Sequence, residues 1–158
     1  MQKILSFLLP LMILPFFFGN IEAAGVKWTE SYEDAVQQSK KESKPIILFF
    51  TGSDWCGWCT KLEDEVFDTK EFTDGSGNDF IFVKLDYPMN KTQEGKVVEQ
   101  NKELQKKYNI RSYPTVIILD PTQQQIAATG YRTGGGEAYN QHLKKIVSEY
   151  KDYKGKVE

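Results

Sequence analysis

The chain has 158 residues, 40% of them hydrophobic and 13% aromatic, which is enough for one sizeable core and too little for two ordinary domains. Lys and Arg (20) nearly balance Asp and Glu (22), so the formal net charge is -2. This balance excludes the strongly basic surface of a nucleic-acid-binding protein and a charged trap for acidic substrates. We therefore expect one domain, monomeric at this size, with no nucleic-acid partner.

The first 23 residues have the layout of a secretory signal peptide. Lys3 precedes an apolar run over residues 4–18, and the small residues Ala23 and Ala24 close the segment. The run, about 15 residues long, is shorter than the roughly 20 residues of a membrane-spanning helix. An uncleaved anchor is the alternative. We predict a signal peptide over residues 1–23 and a mature, exported domain over residues 24–158.

The hydrophobic pattern after this segment alternates between helices and strands. Thr29 or Ser31 can cap an amphipathic helix that reaches about residue 41, and the continuous apolar run 46–50 predicts a buried strand. The further elements predicted in chain order are a helix opening at Cys56, a loop over 74–79, a strand over 80–86, a helix over 96–108, strands over 115–119 and 125–129, and a helix over 137–150 with a frayed tail. This order predicts an α/β fold whose central mixed sheet, mostly parallel with an antiparallel end, has helices on both faces.

The two cysteines of the chain, Cys56 and Cys59, are three positions apart. A disulfide between them would close a very short loop and restrict the unfolded chain little. The spacing therefore favours a chemically active cysteine pair over a structural disulfide. A simple structural disulfide is the alternative. A helix that opens at Cys56 would stabilise a thiolate there, because its first N–H groups are unpaired and its dipole is positive at this end. We therefore predict Cys56 as the nucleophile and Cys59 as the resolving thiol.

A metal site is another chemistry open to a cysteine pair. Zinc normally takes four ligands, and the single histidine, His142, falls in the last predicted helix. We therefore expect neither a metal nor a cofactor.

The motif Trp55-Cys56-Gly57-Trp58-Cys59 after an apolar strand, with Tyr113-Pro114-Thr115 ahead of another strand, resembles the thioredoxin superfamily. The likeness covers roughly residues 28–150 and also rests on the segments 82–86 and 107–115. The turn over 51–56 and the lengthened segment over 87–105 are more similar to bacterial exported thioredoxin-like proteins, especially a chlamydial periplasmic type, than to cytosolic thioredoxin. The resemblance implies a thioredoxin-like fold and a periplasmic disulfide reductase. Its substrates would be disulfide-containing exported proteins, and its electron donor a membrane thiol carrier.

The resemblance also implies which residues bind the substrate. Pro114 corresponds to the cis-proline that faces the cysteine pair, and Tyr113 before it would present its backbone to a bound substrate strand. Gly57 and Trp58, between the cysteines, and Trp55 complete the predicted substrate-binding set. The aromatic surface of Trp55 would either hold an apolar substrate segment or pack onto its own domain, whereas Trp58 is expected to be more exposed.

One position departs from the family pattern. Thioredoxin has a buried acid six residues before its first cysteine, and Phe50 stands at that position here. Asp54, Glu63, Asp86 or water could accept the proton of the resolving thiol instead. Lys84 corresponds to a family lysine near the active site, or is a surface lysine at a strand end.

Three functions fit these residues. The first is a reductase that acts on disulfides of exported proteins. The second is a disulfide oxidase or isomerase, because the Gly57-Trp58 dipeptide does not set the direction of electron flow. The third is a non-enzymatic module that holds a peptide or passes Cu(I) between thiolates, although Met89, the nearest downstream methionine, belongs to no methionine cluster.

Overall fold

Five strands form one mixed sheet in the computed structural model, which describes residues 25–157. They are β1 (Trp28–Thr29), β2 (Ile46–Thr51), β3 (Ile81–Asp86), β4 (Thr115–Leu119) and β5 (Gln125–Thr129), in the spatial order β1-β3-β2-β4-β5. β3 is parallel to β1 and β2, whereas β4 is antiparallel to β2 and β5. The predicted mixed sheet is confirmed, but half of its strand pairs are antiparallel, so the expectation of a mostly parallel sheet was wrong.

The same residues form five α-helices, of which the second bears the cysteine pair. They are α1 (Tyr32–Glu42), α2 (Gly57–Leu62), α3 (Lys70–Ser76), α4 (Gly95–Lys107) and α5 (Gly135–Val157). α2 continues without a break into a π-helical turn, Glu63–Phe67. Ser31 caps α1 as predicted, because its Oγ accepts a hydrogen bond from the N–H of Asp34 at 3.2 Å. Among residues 25–157, no helix combines the length and the apolar character needed to span a bilayer. The signal peptide predicted over residues 1–23 lies outside the described residues.

Two helical segments differ from the prediction. The expected loop over 74–79 begins as the end of α3, which Thr69 caps by accepting a hydrogen bond from the N–H of Phe72 at 3.3 Å. α5 does not end near residue 150 but continues to Val157. Its last turns are held against the β4–β5 turn, where the hydroxyl of Tyr150 donates to Oδ2 of Asp120 at 2.9 Å.

The sheet separates two hydrophobic clusters. All six residues of β2 are buried, and they alternate between the two faces. Ile47 and Phe49 belong to the cluster that contains both cysteines and is covered by α2, α3 and α5. The cluster on the opposite face is covered by α1 and α4 and includes Ile46, Leu48 and Phe50. The predicted helices on both faces are therefore confirmed, and the cysteine pair lies on the face covered by α5.

Candidate active site

Cys56 and Cys59 are joined by a disulfide at the beginning of α2. After β2 the chain turns sharply, and the N–H groups of Trp55 and Cys56 both donate to the carbonyl oxygen of Gly52, at 3.3 and 2.9 Å. Cys56 is the N-cap of α2, and its Sγ accepts a hydrogen bond from the N–H of Cys59 at 3.2 Å. The first sulfur thus lies where the free N–H groups of the helix converge.

The two cysteines differ in accessibility. Cys56 is 7% exposed, whereas Cys59 is fully buried in the core cluster. A molecule that approaches the disulfide from solvent therefore meets Cys56 first. Gly57, between them, leaves the approach open, because a Cβ at this position would find no atom within 4 Å.

The Tyr113–Pro114 peptide bond is cis and immediately precedes β4. In the β2–β4 register Thr115 pairs with Phe50, so the cis bond lies beside the end of β2 from which the cysteine turn departs. The ring of Tyr113 contacts the ring of Trp55 edge to face, at a centroid distance of 5.4 Å. The structure therefore brings both predicted residues of this segment to the cysteine turn.

Trp55 packs onto its own domain and still keeps exposed aromatic surface. Its Nε1 donates to the carbonyl oxygen of Tyr87 at 2.8 Å, so one edge of the indole is fixed on its own domain. The residue nevertheless remains 40% exposed. The indole lies directly against Gly52, where a Cβ would come within 2.2 Å of the ring. A side chain at residue 52 would therefore displace the indole.

Trp58 is the more exposed of the two motif tryptophans, as predicted, with 59% of the residue accessible. Its ring lies 5.3 Å from that of Tyr131, and Nζ of Lys61 lies 5.2 Å from each ring. The hydroxyl of Tyr131 donates to Oε2 of Glu65 at 2.5 Å. Tyr131 was not predicted, because it follows β5 and no pattern in its own segment relates it to the cysteines.

Two of the three candidate acids are bound to the loops around the cysteine turn. Asp54 accepts hydrogen bonds from the N–H groups of Met89 and Asn90, at 2.9 and 2.7 Å. The hydrogen bond from Met89 is the main cause that holds the pKa of Asp54 below its usual value. Asp86 accepts from the N–H and the hydroxyl of Ser53, at 2.8 and 2.6 Å. Both carboxylates thus have structural partners.

The third candidate, Glu63, lies on the cysteine helix itself. It follows Cys59 by one turn, since its N–H donates to the carbonyl oxygen of Cys59. Its carboxylate forms an ion pair with Lys84, and the two side chains are only 18% and 26% exposed. Asp68 is close to the same lysine. Partial desolvation of its carboxyl raises the pKa of Asp68, and the charge of Lys84 partly offsets the rise.

The strand register shows which residue of β2 faces the cysteines, where the family has its buried acid. Phe50 faces away from the cysteines and packs against the rings of Tyr87 and Tyr108. Phe49 is on the cysteine face, directly paired with Lys84 in the β2–β3 register. Counting six residues back from Cys56 therefore selects the wrong side of the sheet, and Phe49 is the apolar residue beside the lysine.

His142 is not near a set of metal-binding side chains. Its Nε2 lies 3.1 Å from Oγ1 of Thr129, and its ring contacts Tyr139 edge to face. Within residues 25–157, no three or more His, Cys, Asp or Glu side chains are grouped as metal ligands would be.

The family model for a thioredoxin-like domain matches residues 32–146. The chain belongs to the thioredoxin-like family. This thioredoxin-like protein is 39% identical, over 127 residues, to the disulfide bond reductase DsbH of Chlamydia pneumoniae, and the match covers 80% of the chain and 76% of the relative. It is 31% identical, over 134 residues, to the thioredoxin-related protein DsbJ of the same organism, but spans only 37% of that relative.

Solved structures agree with this family. A structure of a DsbH oxidoreductase superposes with a TM-score of 0.76 at 36% sequence identity, and the match covers 82% of this chain and 90% of that one. A putative disulphide-isomerase from Bacteroides thetaiotaomicron has a TM-score of 0.57 at 22% identity over 80% of this chain and 96% of its own, a likeness of fold alone. With these relatives and the Cys56–Cys59 disulfide, the thioredoxin-like chain is a thiol-disulfide oxidoreductase.

Proposed function

We propose that this chain is a disulfide reductase of exported proteins, with Cys56 as nucleophile and Cys59 as resolving thiol. The observation that carries the proposal is the difference between the two sulfurs. Cys56 is at the helix N-terminus and reachable from solvent, whereas Cys59 is fully buried one turn away. A nucleophilic cysteine must be accessible to the substrate disulfide. The resolving cysteine needs access only to the sulfur of the nucleophile.

The reaction starts from the reduced form. The thiolate of Cys56 attacks one sulfur of the substrate disulfide, and the other substrate sulfur leaves as a thiolate and takes a proton. Cys59 then loses its proton and attacks the Cys56 sulfur of the mixed disulfide. This forms the Cys56–Cys59 disulfide and releases the second substrate sulfur as a thiolate, which also takes a proton. The substrate gains two electrons and two protons. The N–H of Cys59, which donates to Sγ of Cys56 at 3.2 Å, would stabilise the attacking thiolate.

The substrate would bind across the motif and the cis-proline. Trp55 and Trp58 offer exposed aromatic surface on either side of the open position at Gly57. Tyr113 and Pro114 precede β4, where the backbone can pair with an extended substrate segment. These five residues form the proposed substrate-binding surface.

The reducing direction and the compartment are part of the proposal. The relative that the chain matches over four fifths of its length is named a disulfide bond reductase, and the signal-like segment over residues 1–23 supports export to the periplasm. There, a membrane thiol carrier would return two electrons to the Cys56–Cys59 disulfide after each turnover. Disulfide-containing exported proteins would be the substrates, and the chain would act as a monomer.

The experiment is insulin reduction by the purified mature chain, residues 24–158, with dithiothreitol as donor. We expect reduction well above the rate with dithiothreitol alone, and loss of that gain in Cys56→Ser. A Cys59→Ser variant should instead accumulate a mixed disulfide with insulin. Equal rates for the native chain and Cys56→Ser would contradict the proposal.

A redox titration against glutathione decides between a reductase and an oxidase or isomerase, which would use the same residues. We expect a potential near the roughly -270 mV of thioredoxin, whereas a value near -120 mV is typical of a strong oxidase. For this two-electron couple, about 30 mV corresponds to about 1.4 kcal/mol. A potential near -120 mV would contradict the reducing direction. It would not contradict thiol-disulfide exchange itself.

A further inference from the structure

Met89 is an exposed hydrophobic residue next to the cysteine turn. Four large hydrophobic residues in the described part of the chain are exposed, namely Trp55 (40%), Trp58 (59%), Met89 (72%) and Val98 (47%). Two belong to the cysteine motif, and the backbone of Met89 is bound to Asp54, two positions before Cys56. Single exposed hydrophobic residues need no explanation, but a contiguous group commonly marks a binding surface.

The backbone that carries Met89 is fixed rather than free. The carboxylate of Asp54 accepts hydrogen bonds from the N–H groups of Met89 and Asn90, at 2.9 and 2.7 Å. On the other side of Pro88, the carbonyl oxygen of Tyr87 accepts a hydrogen bond from Nε1 of Trp55 at 2.8 Å. Hydrogen bonds to an ionised carboxylate are stronger than those between neutral groups. The loop before α4 is thus tied to the turn before Cys56 at both ends of the Met89 segment.

We propose that Met89 is a specificity-determining residue that extends the substrate surface beyond Trp55 and contacts an apolar side chain next to the reacting cysteine of the substrate. This inference rests on the proposed function, since it needs a polypeptide disulfide at Cys56. Asp54 fixes the backbone of Met89 in the loop whose Tyr87 carbonyl binds the Trp55 indole, although the Met89 side chain makes little contact with its own domain. Asp54 acts through Met89 and is a positioning residue.

The chemistry of the surface selects an apolar partner. An indole ring and a thioether offer no charge. Asp54 already accepts two backbone hydrogen bonds, and Nζ of the exposed Lys91 lies 3.4 Å from Oγ of Ser53. A basic substrate side chain would lose water beside the indole and the thioether without gaining a free carboxylate as partner. Methionine is unbranched and polarisable, so it adapts to apolar side chains of different shapes. This suits an enzyme that reduces more than one protein.

The test compares Met89→Ser with Val98→Ser, an exposed hydrophobic residue on α4. Two peptide disulfides that differ only in having Leu or Ser beside the cysteine serve as substrates, together with 2-hydroxyethyl disulfide. In the native chain we expect kcat/KM to favour the Leu peptide over the Ser peptide about fivefold, in line with removal of a small apolar contact. Met89→Ser should bring this ratio close to one through KM, and Val98→Ser should retain it. A ratio that Met89→Ser leaves unchanged, or that both variants lower equally, would overturn the proposal.

The role of Asp54 is tested by a double-mutant cycle. Asp54→Ala should lower the Leu-to-Ser ratio as far as Met89→Ser does, and the double variant should lower it no further, because both changes remove the same contact. Additive effects would contradict the positioning role.

Trapping separates this proposal from the proposed function. In a Cys59→Ser background, each peptide should form a mixed disulfide at Cys56, and the Leu peptide should do so faster only when Met89 is present. Absence of any mixed disulfide would contradict the proposed nucleophile. Equal trapping of both peptides by the chain with Met89 would contradict the present proposal alone.

Discussion

Glu63 and Lys84 form an ion pair on the cysteine face of the sheet, one helical turn beyond Cys59. The pair is largely shielded from solvent, and it includes the one candidate acid that lies on the cysteine helix. Phe49, beside Lys84, carries no charge. Because Glu63 follows Cys59 by one turn on the same helix, we predict that its carboxylate takes the proton of Cys59 during exchange, directly or through one water.

The first prediction concerns this carboxylate. Glu63→Gln keeps the shape of the side chain and removes the base, so the resolving step should slow about tenfold below pH 7, less than the 10²–10⁴-fold typical of a base in direct contact. The step is measured by the decay of the mixed disulfide in single-turnover experiments across a pH range. Asp64→Asn, which removes an exposed charge from the same π-helical turn, is the control. Equal slowing in both variants would show a general effect of charge.

The second prediction uses the two glycines on either side of Cys56. Gly52→Ala would place a Cβ within 2.2–2.5 Å of the Trp55 ring and should destabilise the chain by about 1–3 kcal/mol, the usual cost of overpacking. Gly57→Ala, at the first residue of α2 with nothing within 4 Å of its Cβ, should be neutral or slightly stabilising. Urea unfolding measures both, and the indole N–H resonance of Trp55 should shift only in Gly52→Ala. Equal stability of the two variants would contradict the packing seen here.

The third prediction concerns the support of Trp58. Tyr131→Ala removes the ring against which Trp58 and Lys61 are placed, so kcat/KM for insulin should fall about three- to tenfold, because aromatic contacts of this kind contribute about 0.5–1.5 kcal/mol. Tyr131→Phe keeps the ring and loses only the hydrogen bond to Glu65, so it should change kcat/KM less than twofold. A large loss in Tyr131→Phe would assign the effect to the hydroxyl instead of the ring.

The fourth prediction concerns pH and the end of α5. Burial alone would raise the pKa of Asp120, but hydrogen bonds from Thr122, Gln124 and Tyr150 outweigh it and hold the pKa below its usual value. A carboxylate with a lowered folded-state pKa stabilises the protein fully above its unfolded pKa of about 3.9, and this contribution is lost as the pH falls through the folded value.

Asp120→Asn should therefore be less stable than the native chain at pH 7, by about 1.5–3 kcal/mol, the usual contribution of hydrogen bonds to a charged group. The difference should shrink once the pH falls below about 4. Urea midpoints measured from pH 7 to pH 3 test this, with Asp79→Asn, whose carboxylate is in an exposed ion pair with Lys144, as the control. A difference that stays constant over the whole range would contradict the assignment.

The parts of the site that the sequence predicted are those set by local chemistry. The apolar run of β2, the turn after it and the helix opening at Cys56 follow from neighbouring residues, because caps and hydrophobic periodicity act over a few positions. Pro114 followed from the resemblance, and its cis bond lies beside the turn as expected.

The parts that were missed depend on contacts between distant segments. Tyr131 contacts Trp58, and the backbone of Met89 binds Asp54, only because the loops after β5 and β3 pack against the cysteine turn. Phe50 was chosen by counting along the chain, but which face a strand residue takes depends on register, and a shift of one position moves a side chain to the other face. The last turns of α5 were expected to fray, because the hydrogen bond between Tyr150 and Asp120 leaves no pattern in either segment.

The burial of Cys59 makes the redox state of the protein readable by alkylation. In the folded, reduced chain a bulky maleimide would find only the sulfur of Cys56, since Cys59 is enclosed by the core. The native reduced protein should therefore gain one adduct, the unfolded reduced protein two, and the oxidised protein none. A single mass spectrum of a cell extract would then report the fraction of the enzyme that is in the reduced, dithiol form at the moment of sampling.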